Sequence, residues 1–183
     1  SEAARRRFAG WLRQRLTEGL VLVEPEFDRV LDFSVQLEIR DCHGQGGDHC
    51  TQSLRNTPES DVVSPPAGVS VVAKTPFVAD ARGVYRGTEI GPDSWQRAWA
   101  RALGDAVDPQ AAETLADATA ASVAAVVGGG LQTAGYRGPA GVDGFIYSTA
   151  HGLCLRPICD VNPRYTMSRL AAEVAYRCAR EGP

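Results

Sequence analysis

The sequence predicts an α+β fold, a mainly antiparallel sheet flanked by helices. Residues 29 to 40, RVLDFSVQLEIR, alternate at the period of a strand and put Phe33, Val35, Leu37 and Ile39 on one face. Two more strand-like runs, 141 to 149 and 153 to 161, are separated only by a turn around Ala150-His151-Gly152, so they should pair antiparallel. Helical spacing takes over at 92–103, 109–127 and 166–180. With 183 residues, 44% of them hydrophobic and 22% charged, the chain suits one domain, 1–183, with a buried core.

Taken in order, residues 3 to 18 have Phe8, Trp11, Leu12 and Leu16 at helical spacing, with Gly19 as a stop. Arg5-Arg6-Arg7 reads as its solvated face. LVLVEPEF, 20 to 27, is expected to be a short buried strand, followed by the strand at 29–40. Residues 41 to 66 are poor in apolar side chains and rich in Gly, Pro, Ser and Asp, which points to a flexible insertion. Strands resume at 69–80 and 83–91, as a hairpin through Asp80 to Gly83. Pro92-Asp93-Ser94 opens the helix at 92–103, and Asp108 is a good N-cap for the one at 109–127. Gly128-Gly129-Gly130 either bends that helix or lets it run on weakened to Ala134.

Composition narrows the function. A net charge of −3 argues against a general nucleic-acid partner. No stretch approaches the roughly 20 apolar residues of a membrane span. No apolar segment follows the basic start, so a cytoplasmic location without a membrane partner is expected. Lys74 is the sole lysine among 19 basic residues. Of five cysteines, Cys154, Cys159 and Cys178 lie among apolar neighbours and are expected to be buried.

The chemistry concentrates in PICDVNPRYT, 157 to 166. Alternation puts Asp160 and Asn162 on one face, about 6.6 Å apart along the strand, with Val161 turned the other way into the core. Asp143, early in the partner strand, is expected opposite Asp160. Two carboxylates and an amide oxygen form the hard donor set that suits Mg²⁺, with Mn²⁺ as a substitute. Arg164 comes next, where it can face a phosphate. The plainer reading is a surface hairpin whose Asp and Asn cap the next helix.

These residues carry a resemblance. GYRGPAGVDGFIY…LRPICDVNPRYTMSR resembles the C-terminal lobe of ATP-grasp enzymes, where one strand bears an acid and a second ends acid-x-Asn before a helix. The resemblance implies that Asp143, Asp160 and Asn162 bind the Mg²⁺ that bridges ATP phosphates. It implies that Arg164 meets the transferred phosphoryl group or the acyl substrate. VLVEPEFDRVLDFSV resembles the family's hinge strand and the segment after it. By that match Glu24 lies by the adenine, Glu26 and Phe27 supply backbone that reads the base, and Asp32 binds the ribose. The implied reaction activates a carboxylate with ATP as an acyl phosphate for attack by an amine or similar nucleophile. The alternatives are a nucleotide-binding or interaction module without catalysis, and a zinc-stabilised domain.

The chain departs from the family pattern where Asp160 replaces the usual Glu, where Gly141 stands in place of a frequent Arg, and where Ser168 replaces a Gly. The family's N-terminal lobe, with its phosphate-binding lysines, is expected to be absent from this chain: either the rest of a longer protein or a partner chain supplies it, or catalysis has been lost. Cys42, His43, His49 and Cys50 are of zinc-ligand type, but their adjacent pairing departs from the usual ligand spacing and argues against zinc. A Cys42–Cys50 disulfide or a plain exposed insertion remain the other readings.

Overall fold

The computed structural model describes residues 2–19, 25–41, 64–80 and 84–181. Among these residues five strands form one antiparallel sheet: β1 (Asp28–Ile39), β2 (Val69–Ala79), β3 (Tyr85–Thr88), β4 (Gly138–Thr149) and β5 (Gly152–Asn162), in the order β3-β2-β1-β4-β5. The helices are α1 (Glu2–Glu18), α2 (Ser94–Leu103), α3 (Pro109–Val123), α4 (Gly129–Thr133) and α5 (Met167–Glu181). The α+β class expected from the sequence is the one observed.

The alternation of β1 builds the core. Phe33, Val35, Leu37 and Ile39 are buried and join Ala140, Val142 and Ile146 of β4. Against them pack Trp95, Trp99 and Leu103 of α2 and Ala112, Ala116, Ala120 and Val123 of α3. Phe33 meets Trp95 edge-on at 5.6 Å between ring centres and Trp99 at 5.3 Å. The small residues of α3 let its backbone lie close to the sheet. Asp108 caps that helix, its Oδ1 accepting from the Gln110 amide at 3.1 Å, with Pro109 next to it.

The helix does not break at the triple glycine. A single π turn, Ala124–Gly128, carries it into α4. Gly128 sits where a Cβ would lie 2.4 Å from Val69 Cγ1, so the missing side chain admits β2 at this point. Within the 25 residues of Pro109–Thr133 one 18-residue window reaches a mean hydropathy of 1.3, enough by length and composition to cross a membrane. The run includes Gln110, Glu113 and Asp117, so it passes on average hydropathy and not as an unbroken apolar stretch. Its buried alanines pack on the sheet, as in the core helix of a globular domain.

Other expectations are revised. Residues 20–24 of the expected strand at 20–27 lie outside the described residues, and 25–27 are not strand. Most of the 41–66 insertion, with Cys42, His43, His49 and Cys50, lies outside them as well. Asp93 does not cap α2 with its side chain; it adopts a left-handed backbone, φ 57°, and the helix starts at Ser94. α1 is helical but buries none of its residues, and Phe8 and Trp11 stack on each other at 5.7 Å in the open. Val161 is 37% exposed, Cys159 and Cys178 are exposed, and Cys154 is half-buried. The reason is common to Val161 and the two strand cysteines: β5 is the edge of the sheet, and only Leu155 and Ile158 of that strand reach the core.

Candidate metal and nucleotide site

From Asp32 onward the face of β1 opposite the core is polar: Asp32, Ser34, Gln36 and Glu38. Strand register extends it sideways. Ser34 lies opposite Asp143, which lies opposite Asp160; Gln36 lies opposite Gly141, which lies opposite Asn162. The expected juxtaposition of Asp143 and Asp160 is therefore present, with Asn162 beside it. Asn162 Nδ2 donates to Asp160 at 2.9 Å and to Asp143 at 3.4 Å. Its Oδ1 accepts from Arg164 at 3.1 Å. Arg164 reaches back because the chain turns at Pro163, its own amide donating to the Asn162 carbonyl at 2.7 Å.

Burial pushes the Asp143 carboxyl above its ordinary range. Asp160 and Asp32 add to the rise, while the Ser34 hydroxyl and Arg164 oppose it. Negative charge is thus crowded on a half-buried floor, and a divalent cation relieves such crowding. The donor set fits Mg²⁺: two carboxylates and an amide, all oxygen ligands once the Asn162 amide turns to present Oδ1. Among the described residues no group of three His, Cys, Asp or Glu side chains is placed to hold a metal, so a third protein donor here would be the amide.

The residues expected to hold the nucleotide divide. Glu24 lies outside the described residues. Glu26 is exposed, and Phe27 packs on Tyr147 at 4.6 Å and Phe145 at 5.4 Å. Asp32 pairs with Arg29 at 2.9 Å. Glu26, Phe27, Arg29, Asp32, Phe145 and Arg156 share an open cleft of about 460 Å³. Guanidinium groups cover its aromatic floor: Arg29 sits 4.2 Å from the Phe145 ring centre and Arg156 5.6 Å from that of Phe27. Lys74 belongs to the other face. It pairs with Asp117 of α3 at 2.6 Å and lies 5.9 Å over the Trp95 ring.

Sequence reasoning missed Ser34, Gln36 and Thr166, which meet beneath Asp143. The signal lies in the polar positions of β1, the other half of the alternation that gives the strand its apolar face. α5 docks on this face. Thr166 caps it, accepting from the Arg169 amide at 3.2 Å, and Arg169 reaches Glu38 at 3.4 Å and Glu173 at 2.5 Å. Glu173 is held below its ordinary value by hydrogen bonds from Tyr165 and Arg169. No family model, curated protein or solved structure matches the chain.

Proposed function

We propose that this face binds Mg²⁺ and ATP as part of an ATP-grasp ligase that activates a carboxylate for attack by an amine or similar nucleophile. The observation that supports it most is the Asp143–Asp160 pair, opposed across neighbouring strands with Asn162 between them. Asp143, Asp160 and Asn162 would hold the ion, which when bound neutralises the phosphates of ATP. Asp32 would take the ribose hydroxyls, and Glu26 and Phe27 would line the base. The γ-phosphoryl group passes to a substrate carboxylate with release of ADP, and the nucleophile then displaces phosphate. Arg164, beside Asn162, would meet the negative charge of the phosphoryl group in flight. A cytoplasmic location fits a consumer of ATP.

A nucleotide-binding module without catalysis is the second reading, favoured by the position of Lys74. Its ammonium group is engaged on the helix side of the sheet, away from the acids. The phosphate-binding lysines of a working enzyme would then come from a partner chain or another segment. Formation of ADP in the presence of a carboxylate and the nucleophile separates the two readings.

Calorimetry of Mg²⁺–ATP binding tests the site, with the Asp160→Ala, Asn162→Ala double variant beside the native chain. The expected result is magnesium-dependent binding that the double variant loses. Binding that persists in the variant, or depends in no way on the metal, would sink the assignment.

A further inference from the structure

Two polar side chains lie buried in the middle of the central strand. Ser34 and Gln36 are each 1% exposed. Burying a hydroxyl and an amide is costly unless every polar atom finds a partner. Their partners form a single chain of hydrogen bonds with a fixed direction. The Arg169 backbone amide donates to Thr166 Oγ1 at 3.2 Å, and the Thr166 hydroxyl donates to Gln36 Oε1 at 2.7 Å. That fixes the Gln36 amide, whose Nε2 donates to Ser34 Oγ at 2.6 Å. Ser34, already an acceptor, turns its own proton to Asp143 Oδ1 at 2.6 Å. The row ends on the acid, which must accept.

Gly141 makes the row possible. It lies opposite Gln36 in the register, and a Cβ there would fall 2.6 Å from Thr166 Cγ2 and 3.2 Å from Gln36 Oε1. Any side chain at 141 would push apart Thr166 and Gln36, which join the start of α5 to β1 alongside the Arg169–Glu38 pair. This gives a physical account of a glycine where the resembled family often has arginine.

We infer that Ser34, Gln36 and Thr166 are positioning residues: they transmit the docking of the first turn of α5, just beyond Arg164 in the chain, to the orientation of Asp143. The inference rests on the Mg²⁺ reading of Asp143, Asp160 and Asn162. Asp143 Oδ1 is held by Ser34, which leaves Oδ2 on the side of Asn162. A carboxylate fixed this way needs no reorganisation when an ion arrives, whereas a free one must give up its rotamer freedom. Arg164 and Asp143 thus share one scaffold, so the phosphoryl-facing cation and the ion-facing acid are placed together.

The test uses the full chain, with Mn²⁺ as the probe metal in the presence of ATP, followed by electron paramagnetic resonance. Thr166→Val is expected to weaken Mn²⁺ binding about tenfold although its hydroxyl lies two side chains from Asp143. Thr166→Ser should restore it. Because Thr166 acts through Ser34, the Ser34→Ala, Thr166→Val double variant should bind no worse than Ser34→Ala alone. A metal-free readout accompanies this. Carbon–nitrogen couplings should report one χ1 rotamer for Asp143 in the native chain and averaging in Thr166→Val, with folding checked by circular dichroism. Gly141→Ala should reproduce Thr166→Val from the opposite side of the same bond. Unchanged Mn²⁺ affinity and an unchanged Asp143 rotamer in folded Thr166→Val would overturn the inference and leave the metal site standing. So would singles whose effects simply multiply. Absence of Mn²⁺ binding by the native chain, or binding untouched by Asp160→Asn, would overturn the metal reading and this inference with it.

Discussion

At Asp143, burial and two neighbouring carboxylates act in one direction, and the Ser34 hydroxyl acts against them. That balance sets the sign of the pH effect. A carboxyl raised on folding favours the protonated form of the native state. Its contribution is fully present below the unfolded value of 3.8 and is lost as the pH rises through the raised folded value. Asp143→Asn removes the charge and keeps the shape. Thermal unfolding without metal is therefore expected to show the variant more stable than the native chain at pH 7, with the difference shrinking as the pH approaches 4. Added Mg²⁺ should narrow the difference at pH 7 by stabilising only the native chain. A variant no more stable than the native chain at pH 7 would show that Asp143 is not strained.

Among the elements, the helical run from α3 to α4 offers two glycines with opposite expectations. Gly128→Ala would set a Cβ 2.4 Å from Val69 Cγ1, and overpacking of that kind costs about 1–3 kcal/mol. Gly130 is exposed, and a Cβ there meets nothing within 4 Å. Gly130→Ala should stabilise by about 1 kcal/mol through helix propensity alone. Urea unfolding of both variants checks the pair, and equal effects would mean that β2 does not press on the helix. The cap of α3 was legible beforehand, because Asp108-Pro109 is a local signal that needs no partner. Asp108→Ala should cost about 1 kcal/mol in the same experiment. The cap of α2 was not legible. Pro92-Asp93-Ser94 has the composition of a cap, but the Asp93 backbone is left-handed and its side chain makes no capping hydrogen bond.

Across the whole molecule the sheet divides two tasks between its faces. Phe33 looks to Trp95 and Trp99, while Ser34 beside it turns to Asp143 on the other face, where Asp32 pairs with Arg29. Phe33→Ala is expected to cost about 3–5 kcal/mol and to threaten folding. Asp160→Asn, on the exposed edge strand, should leave the unfolding midpoint nearly unchanged while removing Mg²⁺-dependent ATP binding. Denaturation and calorimetry on the same preparations check this division. Loss of folding in Asp160→Asn would mean that the acid serves the architecture and not a ligand.

Period and local chemistry determined much of this from the sequence alone. The fold class, the apolar face of β1, the β4–β5 hairpin with Asp143 opposite Asp160, and the cap of α3 all depend on residues near one another in the chain, or on strict alternation. The place of a strand within its sheet does not. The run that ends in Asp160 and Asn162 is apolar enough for an interior strand, yet it lies at the edge, so Val161 and Cys159 face solvent. The row from Thr166 through Gln36 and Ser34 to Asp143 was likewise hidden, because its members stand up to 130 residues apart. Only the register of β1 against β4, with α5 folded back across it, brings those side chains within hydrogen-bonding reach and gives the bare backbone of Gly141 a purpose.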